Sequence, residues 1–254
     1  GVGGVTTKLA NDATMESTGC EFTISTTNIK TKDFKWTTDW IFGWAENTIT
    51  KLDSRSQVYS LVNGVGRTEG RPIGALYSIP FAGLTEEGLP TFFIDAEHTQ
   101  VVGPGNYADI YFQEYENIDY LKYEGTIDPK ITGSFGNTFS WKGLKLNVFF
   151  TYSFGNVLRL DNLCPVYSSD YSDLTASMKE MKNRWMVPGD ENVTTIPSIP
   201  TVRQMREIDA LNNAYSAYNY STERVAKGDF IRLKELSLAY DLPKKYFEGQ
   251  NAVS

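Results

Sequence analysis

Two stretches of the chain alternate between apolar and polar residues with a period of two. In "GSFGNTFSWKGLKLNVFFTYSFGN", residues 133–156, aromatic side chains occupy odd positions before the turn at 141–144 and apolar side chains occupy even positions after it. Because successive side chains of a strand point to opposite faces, this pattern predicts a β-hairpin with one apolar side. The hairpin alone leaves open whether that side faces a protein core or lipid.

A second hairpin is predicted upstream, from residues 21–29, a polar turn at 30–33 and the stretch "FKWTTDWIFGW" at 34–44. In that stretch the even positions are aromatic except for Thr38. A strand of about 9–11 residues, tilted by about 45°, crosses the hydrocarbon layer of a membrane, and aromatic girdles mark its two ends. A strand of a soluble sandwich remains the alternative, but three tryptophans on one strand face would overfill most cores.

A fifth strand is predicted within "GDFIRLKELSLAYDLP", residues 228–243. Leu236, Leu238 and Tyr240 share one face, whereas Ile231 and Leu233 have the opposite phase. This change of phase predicts a β-bulge near Glu235, or an outer half of the strand that has left the membrane.

The segments between these strands differ greatly in length. The predicted turns have four or five residues, whereas residues 46–129 and 156–227 are long, irregular and rich in glycine and proline. Outer-membrane barrels show this asymmetry, with short periplasmic turns and long extracellular loops. The spacing therefore favours lipid on the apolar side of the strands.

Composition and charge narrow the function further. The chain has 254 residues, 13% of them aromatic, and a net charge of −7, which argues against nucleic acid as a partner. It contains no run of 18 apolar residues and opens without the features of a signal peptide, so it is either a mature chain or a piece of a longer one.

Cysteine and histidine are sparse, with two and one in the chain. Cys20, Cys164 and the only histidine, His98, lack the spacing of a zinc site or a catalytic triad. We predict an ordinary loop histidine, no metal and no cofactor. The pair Asp190–Glu191 follows Pro-Gly, which predicts a turn rather than a calcium site.

Four stretches together resemble a known family. They are "EGRPIGALYSIPFAGLTEEGLP" (69–90), "YEGTIDPKITGSFGNTFSWKGLKLNVFFTYSFGN" (123–156), "NRWMVPGDENVTTIP" (183–197) and "GDFIRLKELSLAYDLPKKY" (228–246). In this order, over roughly 90 residues, the chain resembles the SusC/RagA type of TonB-dependent outer-membrane transporter of Bacteroidetes.

The resemblance implies a barrel of about 22 strands, plugged by an N-terminal domain, usually capped by a SusD-like lipoprotein and driven by the TonB complex. It implies a location in the cell outer membrane and import of a glycan oligomer or peptide, with no enzymatic step. The chain shows no plug region and no TonB-box motif, and it stops at Ser254, before the family's last two strands. We therefore expect residues 1–254 to be a C-terminal part of the barrel, about strands 16 to 20, with the rest supplied by other sequence.

Within such a barrel the alternation assigns side chains to two environments. The side chains predicted to face lipid are Trp36, Trp40, Phe42, Trp44, Phe139, Phe150 and Tyr152. Those predicted to face the lumen are Lys35, Asp39, Asn147 and Thr151. No substrate-binding residue is identified by the sequence.

Three points stay open at this level. The acidic and aromatic segment 106–125 could stack sugars or meet the lipoprotein, or it could be an ordinary folded loop. Both Cys20 and Cys164 are expected on the extracellular side, where a disulfide would persist if the geometry allows it. The alternative from another functional class is a soluble all-β surface module that binds glycans.

Overall fold

The chain folds mostly into antiparallel strands. The structure is a computed structural model that describes residues 13–163 and 179–242. Its strands and α-helices, in chain order, are β1 (Ala13–Lys30), β2 (Phe34–Leu52), α1 (Val58–Val62), β3 (Ala75–Ser78), β4 (Phe81–Leu84), β5 (Pro90–Phe93), β6 (Val101–Val102), β7 (Lys122–Thr126), β8 (Ile131–Trp141), β9 (Leu144–Phe154), β10 (Val157–Arg159), α2 (Val202–Glu207), α3 (Leu211–Asn219), β11 (Val225–Lys227) and β12 (Phe230–Tyr240). Single 3₁₀ turns lie at Tyr107–Asp109, Lys179–Asn183, Asp190–Asn192 and Thr222–Arg224.

The five long strands form one sheet in the order β1-β2-β8-β9-β12. These are the five strands that the alternation predicts, and the predicted all-β antiparallel fold class is confirmed. β1 has 18 residues and β2 has 19, so both extend well beyond the predicted segments 21–29 and 34–44. None of the helices among the described residues is long and apolar enough to cross a membrane.

The register of the sheet explains the change of phase in β12. Leu233 pairs with Phe150 and Glu235 with Phe149, so one residue of β12 is extra between them. The bulge predicted near Glu235 is therefore confirmed. It returns Leu236 and Leu238 to the face that carries Leu233, since the extra residue shifts the alternation by one position.

The turn between β8 and β9 is a tight two-residue loop. Lys142 and Gly143 both have positive φ angles, 44° and 88°, as a type I′ turn requires. The β1–β2 turn lies at the same end of the sheet, because all neighbouring strands of this sheet are antiparallel. The two long connections, from β2 to β8 and from β9 to β12, consequently start and finish at the other end.

The chain divides into two compact units. Among the described residues, the first, here called the sheet unit, comprises Ser17–Glu46, Pro129–Gly155 and residues 228–242. The second, here called the loop unit, comprises residues 13–16, Asn47–Asp128, 156–163 and 179–227, and consists chiefly of the two long connections.

The loop unit has a hydrophobic core of its own. The segments predicted as irregular contain short strands that pair as β3-β7, β4-β5-β6 and β10-β11, together with three short helices. α3 contributes Leu211, Tyr215 and Tyr218 to the core, each at most 3% exposed. Further core side chains come from both connections and include Val58, Leu61, Ile79, Leu89, Phe92, Tyr107, Leu163 and Met181. The two connections thus fold together as one packed body rather than as two separate loops.

A close approach at Gly133 gives a first testable prediction. A Cβ atom at Gly133 would lie 2.2 Å from the carbonyl oxygen of Ile41 and 2.4 Å from the hydroxyl oxygen of Tyr152. We expect Gly133→Ala to lower the free energy of unfolding by about 1–3 kcal/mol, because the Ile41 carbonyl can retreat only by breaking strand pairing and the Tyr152 hydroxyl only by giving up its hydrogen bonds to Trp40 and Ile41. Denaturant unfolding of the complete protein measures this.

Gly43 provides the matched control, since a Cβ atom there would meet its nearest neighbours in Thr132 at 3.6 Å, an ordinary contact. Gly43→Ala should therefore change the unfolding free energy much less. Equal effects of the two substitutions would contradict the packing described at Gly133.

Candidate functional site

The five-stranded sheet presents an aromatic face. The side chains predicted to face lipid, from Trp36 to Tyr152, all lie on this one face, because residues directly opposite in register share a side. Trp36 stacks on Phe139 with ring centroids 5.6 Å apart, and Phe22 of β1 stacks on Phe42 at 4.9 Å. β12 extends the face with Leu233, Leu236 and Leu238, which are 50% to 69% exposed. The result is a largely apolar surface across five strands, interrupted by polar side chains such as Thr38 and Asn137.

Two tryptophans of the aromatic face, Trp36 and Trp40, donate hydrogen bonds within the sheet. The indole Nε1 of Trp40 donates to the hydroxyl of Tyr152 at 2.9 Å, and that hydroxyl donates to the carbonyl oxygen of Ile41 at 2.9 Å. Trp36 Nε1 donates to Oδ1 of Asn137, also at 2.9 Å. In hydrocarbon every polar group needs a protein partner, since water is absent. The aromatic face meets that requirement at both tryptophans.

The opposite face, here called the polar face, carries Lys35, Asp39, Asn147 and Thr151, the four side chains predicted to face the lumen. A hydrogen-bond chain crosses it: Thr138 Oγ1 donates to Asn147 Oδ1 at 3.2 Å, and Asn147 Nδ2 donates to Glu235 Oε1 at 2.9 Å. Serine, threonine and glycine fill most remaining positions. The sheet therefore separates a polar from an apolar environment, and which of them is lumen and which is lipid stays a prediction.

Phe149 is an aromatic exception on the polar face. It pairs with Gly136, and its ring covers that glycine: a Cβ atom at Gly136 would lie 3.1 Å from Phe149 Cδ2. The glycine makes room for the ring to lie flat along the sheet. The alternation of the sequence assigned this position no special role.

In the loop unit a guanidinium group joins four segments. Arg159 donates to the carbonyl oxygens of Val62, Tyr77 and Ser221 at 3.1, 2.6 and 2.9 Å, and to Ser78 Oγ at 3.1 Å. Burial lowers the pKa of Arg159 to about 10, while the negative charge of Glu124 opposes this shift. The side chain remains a cation at neutral pH and ties together carbonyl oxygens of three segments that are far apart in the sequence.

The acidic and aromatic segment 106–125 is a folded part of this core. Tyr107 is fully buried and its hydroxyl donates to the carbonyl oxygen of Pro90 at 2.8 Å. Burial also raises the pKa of Tyr120 to about 12. Tyr111 and Tyr115 of the same segment are 56% and 49% exposed, as is Tyr59 at 53%. Segment 106–125 is therefore in part an ordinary folded loop. The exposed side chains of Tyr111 and Tyr115 are accessible to a partner or ligand.

The carboxylates of Asp190 and Glu191 serve as turn acceptors. Asp190 Oδ2 accepts the backbone N–H groups of Met186 and Val187, and Glu191 Oε2 accepts Nε1 of Trp185 at 3.0 Å. These contacts favour the turn over a calcium site. Among the described residues, no group of three histidine, cysteine, aspartate or glutamate side chains is placed to hold a metal ion.

His98 and the two cysteines are the remaining residues that the sequence singles out. His98 has a φ angle of 55° at a hairpin tip and stacks on Phe93 at 4.9 Å. Cys20 is exposed on β1, whereas Cys164, and with it any bridge between the two, lies outside the described residues.

Comparison with known proteins gives relatives that match almost the whole chain. No protein-family model matches it. Three curated proteins of Formosa agariphila, the TonB-dependent receptors P3, P26 and P39, are 27%, 26% and 24% identical to it over 96%, 94% and 91% of the chain. The resemblance to TonB-dependent transporters of the SusC/RagA type is confirmed.

Solved structures agree on the fold. The RagAB peptide transporter matches 94% of the chain with a TM-score of 0.61 at 22% identity, and the RagAB peptide importer in its closed-closed state matches 96% with a TM-score of 0.61 at 24% identity. At this level of identity the likeness concerns the fold. The predicted location in the cell outer membrane is confirmed together with the resemblance to these transporters.

The chain is short compared with these TonB-dependent proteins. It spans 23% of the length of the TonB-dependent receptors P3 and P26, and 24% of the chain in the RagAB peptide transporter structure. The similarity therefore covers about a quarter of a complete protein of this type.

Three exposed carboxylates of the loop unit have lowered pKa values because backbone or indole N–H groups donate to them. The pKa of Asp95 lies below its ordinary value of 3.8, and the pKa values of Glu114 and Glu191 lie below 4.5. The main donor is the backbone N–H of Thr99 for Asp95 and that of Glu116 for Glu114. For Glu191 it is the indole N–H of Trp185. These bonds stabilise the folded turns when the carboxylates are ionised.

We therefore predict that these turns loosen in acid. Because the folded pKa values are lowered, the stabilisation is present above the ordinary values and is lost as the pH falls through the folded ones. Amide hydrogen exchange, corrected for its intrinsic pH dependence, should show protection of Thr99, Gln100 and Glu116 falling below about pH 4. Protection in α3 is the internal control, and an unchanged ratio between the turns and α3 would contradict the prediction.

Proposed function

We propose that the chain is a C-terminal part of the barrel wall of a TonB-dependent transporter that imports an oligomeric nutrient across the outer membrane. The observation that carries the proposal is the sheet itself, with an internally hydrogen-bonded aromatic face opposite a polar face. The similarity to TonB-dependent receptors over 96% of the chain supports the same assignment.

In this proposal the aromatic face contacts lipid and the polar face lines the lumen. Soluble proteins rarely expose a contiguous apolar patch of more than a few hundred Å². Phe135, Leu236 and Leu238 on the aromatic face are 41%, 64% and 69% exposed, beside the partly exposed rings of β2. Such an apolar face is unusual on a soluble protein unless something covers it. This surface speaks against the soluble glycan-binding module, and lipid is the covering that the barrel assignment provides.

The five strands are one section of a larger barrel. β1 and β12 are the two edges of the sheet in the described part of the chain. An unpaired edge in hydrocarbon leaves backbone groups without partners, so further strands must pair with both edges. We propose that sequence outside this chain supplies them, together with a plug through which the TonB complex acts.

The loop unit is proposed to lie outside the cell and to meet a SusD-like lipoprotein. Both long connections leave the sheet at the end opposite the tight turns, and in outer-membrane barrels the long segments are extracellular. The exposed Tyr59, Tyr111 and Tyr115 are of a residue type that is enriched in protein interfaces. The nutrient would be held between lipoprotein and lumen, and no chemical step on it is proposed.

The nutrient is proposed to be a peptide or an oligosaccharide. The fold likeness to the RagAB peptide transporter supports a peptide, because that protein is named for such a cargo. The exposed tyrosines suit an oligosaccharide equally well, since aromatic rings stack on sugars.

The proposed lipoprotein contact can be tested by co-purification. With the complete transporter tagged in its host, the double substitution of Tyr111→Ser and Tyr115→Ser should reduce the amount of co-purified lipoprotein, because interface tyrosines carry much of the binding energy. Val193→Ser is the matched control, since Val193 is 81% exposed on the same unit. Equal recovery of the lipoprotein with all variants would place the contact elsewhere.

Transport itself is tested by growth. A strain without the complete transporter gene should fail to grow on one of two limiting nutrients, oligopeptides or oligosaccharides. Its growth on the corresponding monomers should continue. Restoring the gene should restore growth, and in short uptake measurements collapse of the proton gradient should stop entry of the labelled oligomer. Normal growth of the deletion strain on every oligomer would contradict the proposed function.

A further inference from the structure

The tight-turn end of the sheet forms an open concavity of about 240 Å³. Backbone hydrogen bonds join its walls: Lys142 N donates to the carbonyl oxygen of Asp33 at 3.1 Å, and Asp241 N donates to that of Gly143 at 2.8 Å. The β1–β2 turn, the β8–β9 turn and the end of β12 are thereby fixed to one another. The concavity is a feature of the fold rather than a gap between independent loops.

Positive charge dominates the lining. Four lysines line the concavity beside Asp33 and Asp241: Lys32 and Lys142 belong to the two tight turns, whereas Lys35 and Lys145 belong to the polar face and add their charge from there. All four lysines are exposed, and within residues 13–163 and 179–242 none of their ammonium groups is ion-paired. The chain as a whole carries −7, so this end has a charge opposite to that of the chain. Unpaired ammonium groups gathered in one hollow attract an anion.

An aromatic row borders the lysines on the aromatic face. Phe34, Trp141, Leu144 and Tyr240 lie opposite one another in register across four strands. Trp141 and Tyr240 are each 55% exposed, and the ammonium of Lys142 lies 5.7 Å from the centre of the Trp141 ring. Tryptophan and tyrosine at the end of a spanning strand lie at the level of lipid head groups, with lysines just beyond them.

We propose that the tight-turn end binds the phosphate head group of an anionic phospholipid in the periplasmic leaflet. Lys32 and Lys142 contact the phosphate, and Trp141 and Tyr240 contact the glycerol and upper acyl chains. The apolar row selects a lipid over a free phosphate ion, because a free ion gains nothing from the rings. This inference rests on the proposed orientation, in which the tight turns lie in the periplasm.

The test compares lipids retained by the complete transporter. The purified protein is placed in vesicles of phosphatidylcholine and phosphatidylglycerol in equal amounts, extracted with mild detergent and examined by native mass spectrometry. We expect phosphatidylglycerol to be enriched over phosphatidylcholine in the wild type. Lys32→Gln and Lys142→Gln should each weaken the enrichment by about fivefold, because a lysine near an anionic surface contributes that much to binding.

Two controls separate the possible outcomes. Lys51→Gln removes an exposed lysine at the opposite end of β2 and should leave the enrichment unchanged. Inorganic phosphate at millimolar concentration should not displace the lipid. Displacement by phosphate, an effect of Lys51→Gln equal to that of Lys142→Gln, or no enrichment at all would each overturn the inference.

Measuring nutrient uptake by the same variants distinguishes failure of the proposed lipid site from failure of the proposed transport function. Loss of lipid enrichment with normal uptake is the expected behaviour of Lys142→Gln. A wild-type transporter that imports the nutrient but retains both lipids equally overturns the lipid site alone.

Discussion

Trp40→Arg is expected to lower the free energy of unfolding of the complete transporter in a bilayer by about 2–4 kcal/mol. Trp40 lies near the middle of the predicted membrane-crossing stretch of β2, on the aromatic face. An arginine there would place a cation at the centre of the hydrocarbon layer. Reversible denaturant unfolding from vesicles, followed by tryptophan fluorescence or by gel mobility, measures the change.

Two further substitutions isolate the effect of lipid. Trp40→Phe removes the hydrogen bond from Trp40 Nε1 to Tyr152 without adding charge and should cost only about 1 kcal/mol. Ile41→Arg places the same cation on the neighbouring residue, which points to the polar face, and should cost little if that face is wet. Equal costs for arginine at both positions would contradict the assignment of the two faces.

The second large effect is expected at Arg159. Arg159→Met removes the donors from three carbonyl oxygens of buried residues, those of Val62, Tyr77 and Ser221. A buried polar group without a partner costs about 1–3 kcal/mol, so we expect the loop unit to lose about 3–5 kcal/mol of stability. Limited proteolysis of the complete transporter should then cleave within 47–128 and 156–227 while the strands of the sheet stay resistant.

The matched control is Arg203→Met, which removes an arginine paired with Glu207 on the exposed side of α2. Its side chain is 81% exposed, and such surface pairs contribute at most about 0.5 kcal/mol. Arg159→Lys keeps the charge but not the forked geometry, and an intermediate loss is expected. Similar protease sensitivity of the Arg159→Met and Arg203→Met proteins would contradict the role given to Arg159.

The sheet was predictable from the sequence because its strands are long and most of their positions alternate with a period of two. Eleven positions of period two in 34–44 are enough to assign every side chain to a face, and the phase break in β12 predicted its bulge. The grouping of the aromatic and polar site residues on opposite faces follows from the same alternation. Strand ends were less predictable, since β1 begins eight residues before the predicted segment at 21.

The loop unit could not be predicted in the same way. Its paired strands have two to five residues, which is too short for a period to be read, and its core joins residues such as Val58, Phe92 and Tyr215 that lie far apart in the sequence. The partners of Arg159 are 62 to 97 residues away from it. The Ala- and Tyr-rich run of α3, LNNAYSAYN, is a local signal of buried structure that the alternation of the strands does not include.

The central claim is that the sheet crosses the outer membrane with its tight turns inside and its long connections outside. Single cysteines at Val193 and Lys32, in the complete transporter with Cys20 and Cys164 replaced by serine, test it directly. On intact cells a membrane-impermeant maleimide should label Val193→Cys at once and should label Lys32→Cys only after the outer membrane is permeabilised. Labelling of Lys32→Cys on intact cells, with Val193→Cys protected until permeabilisation, would contradict the account.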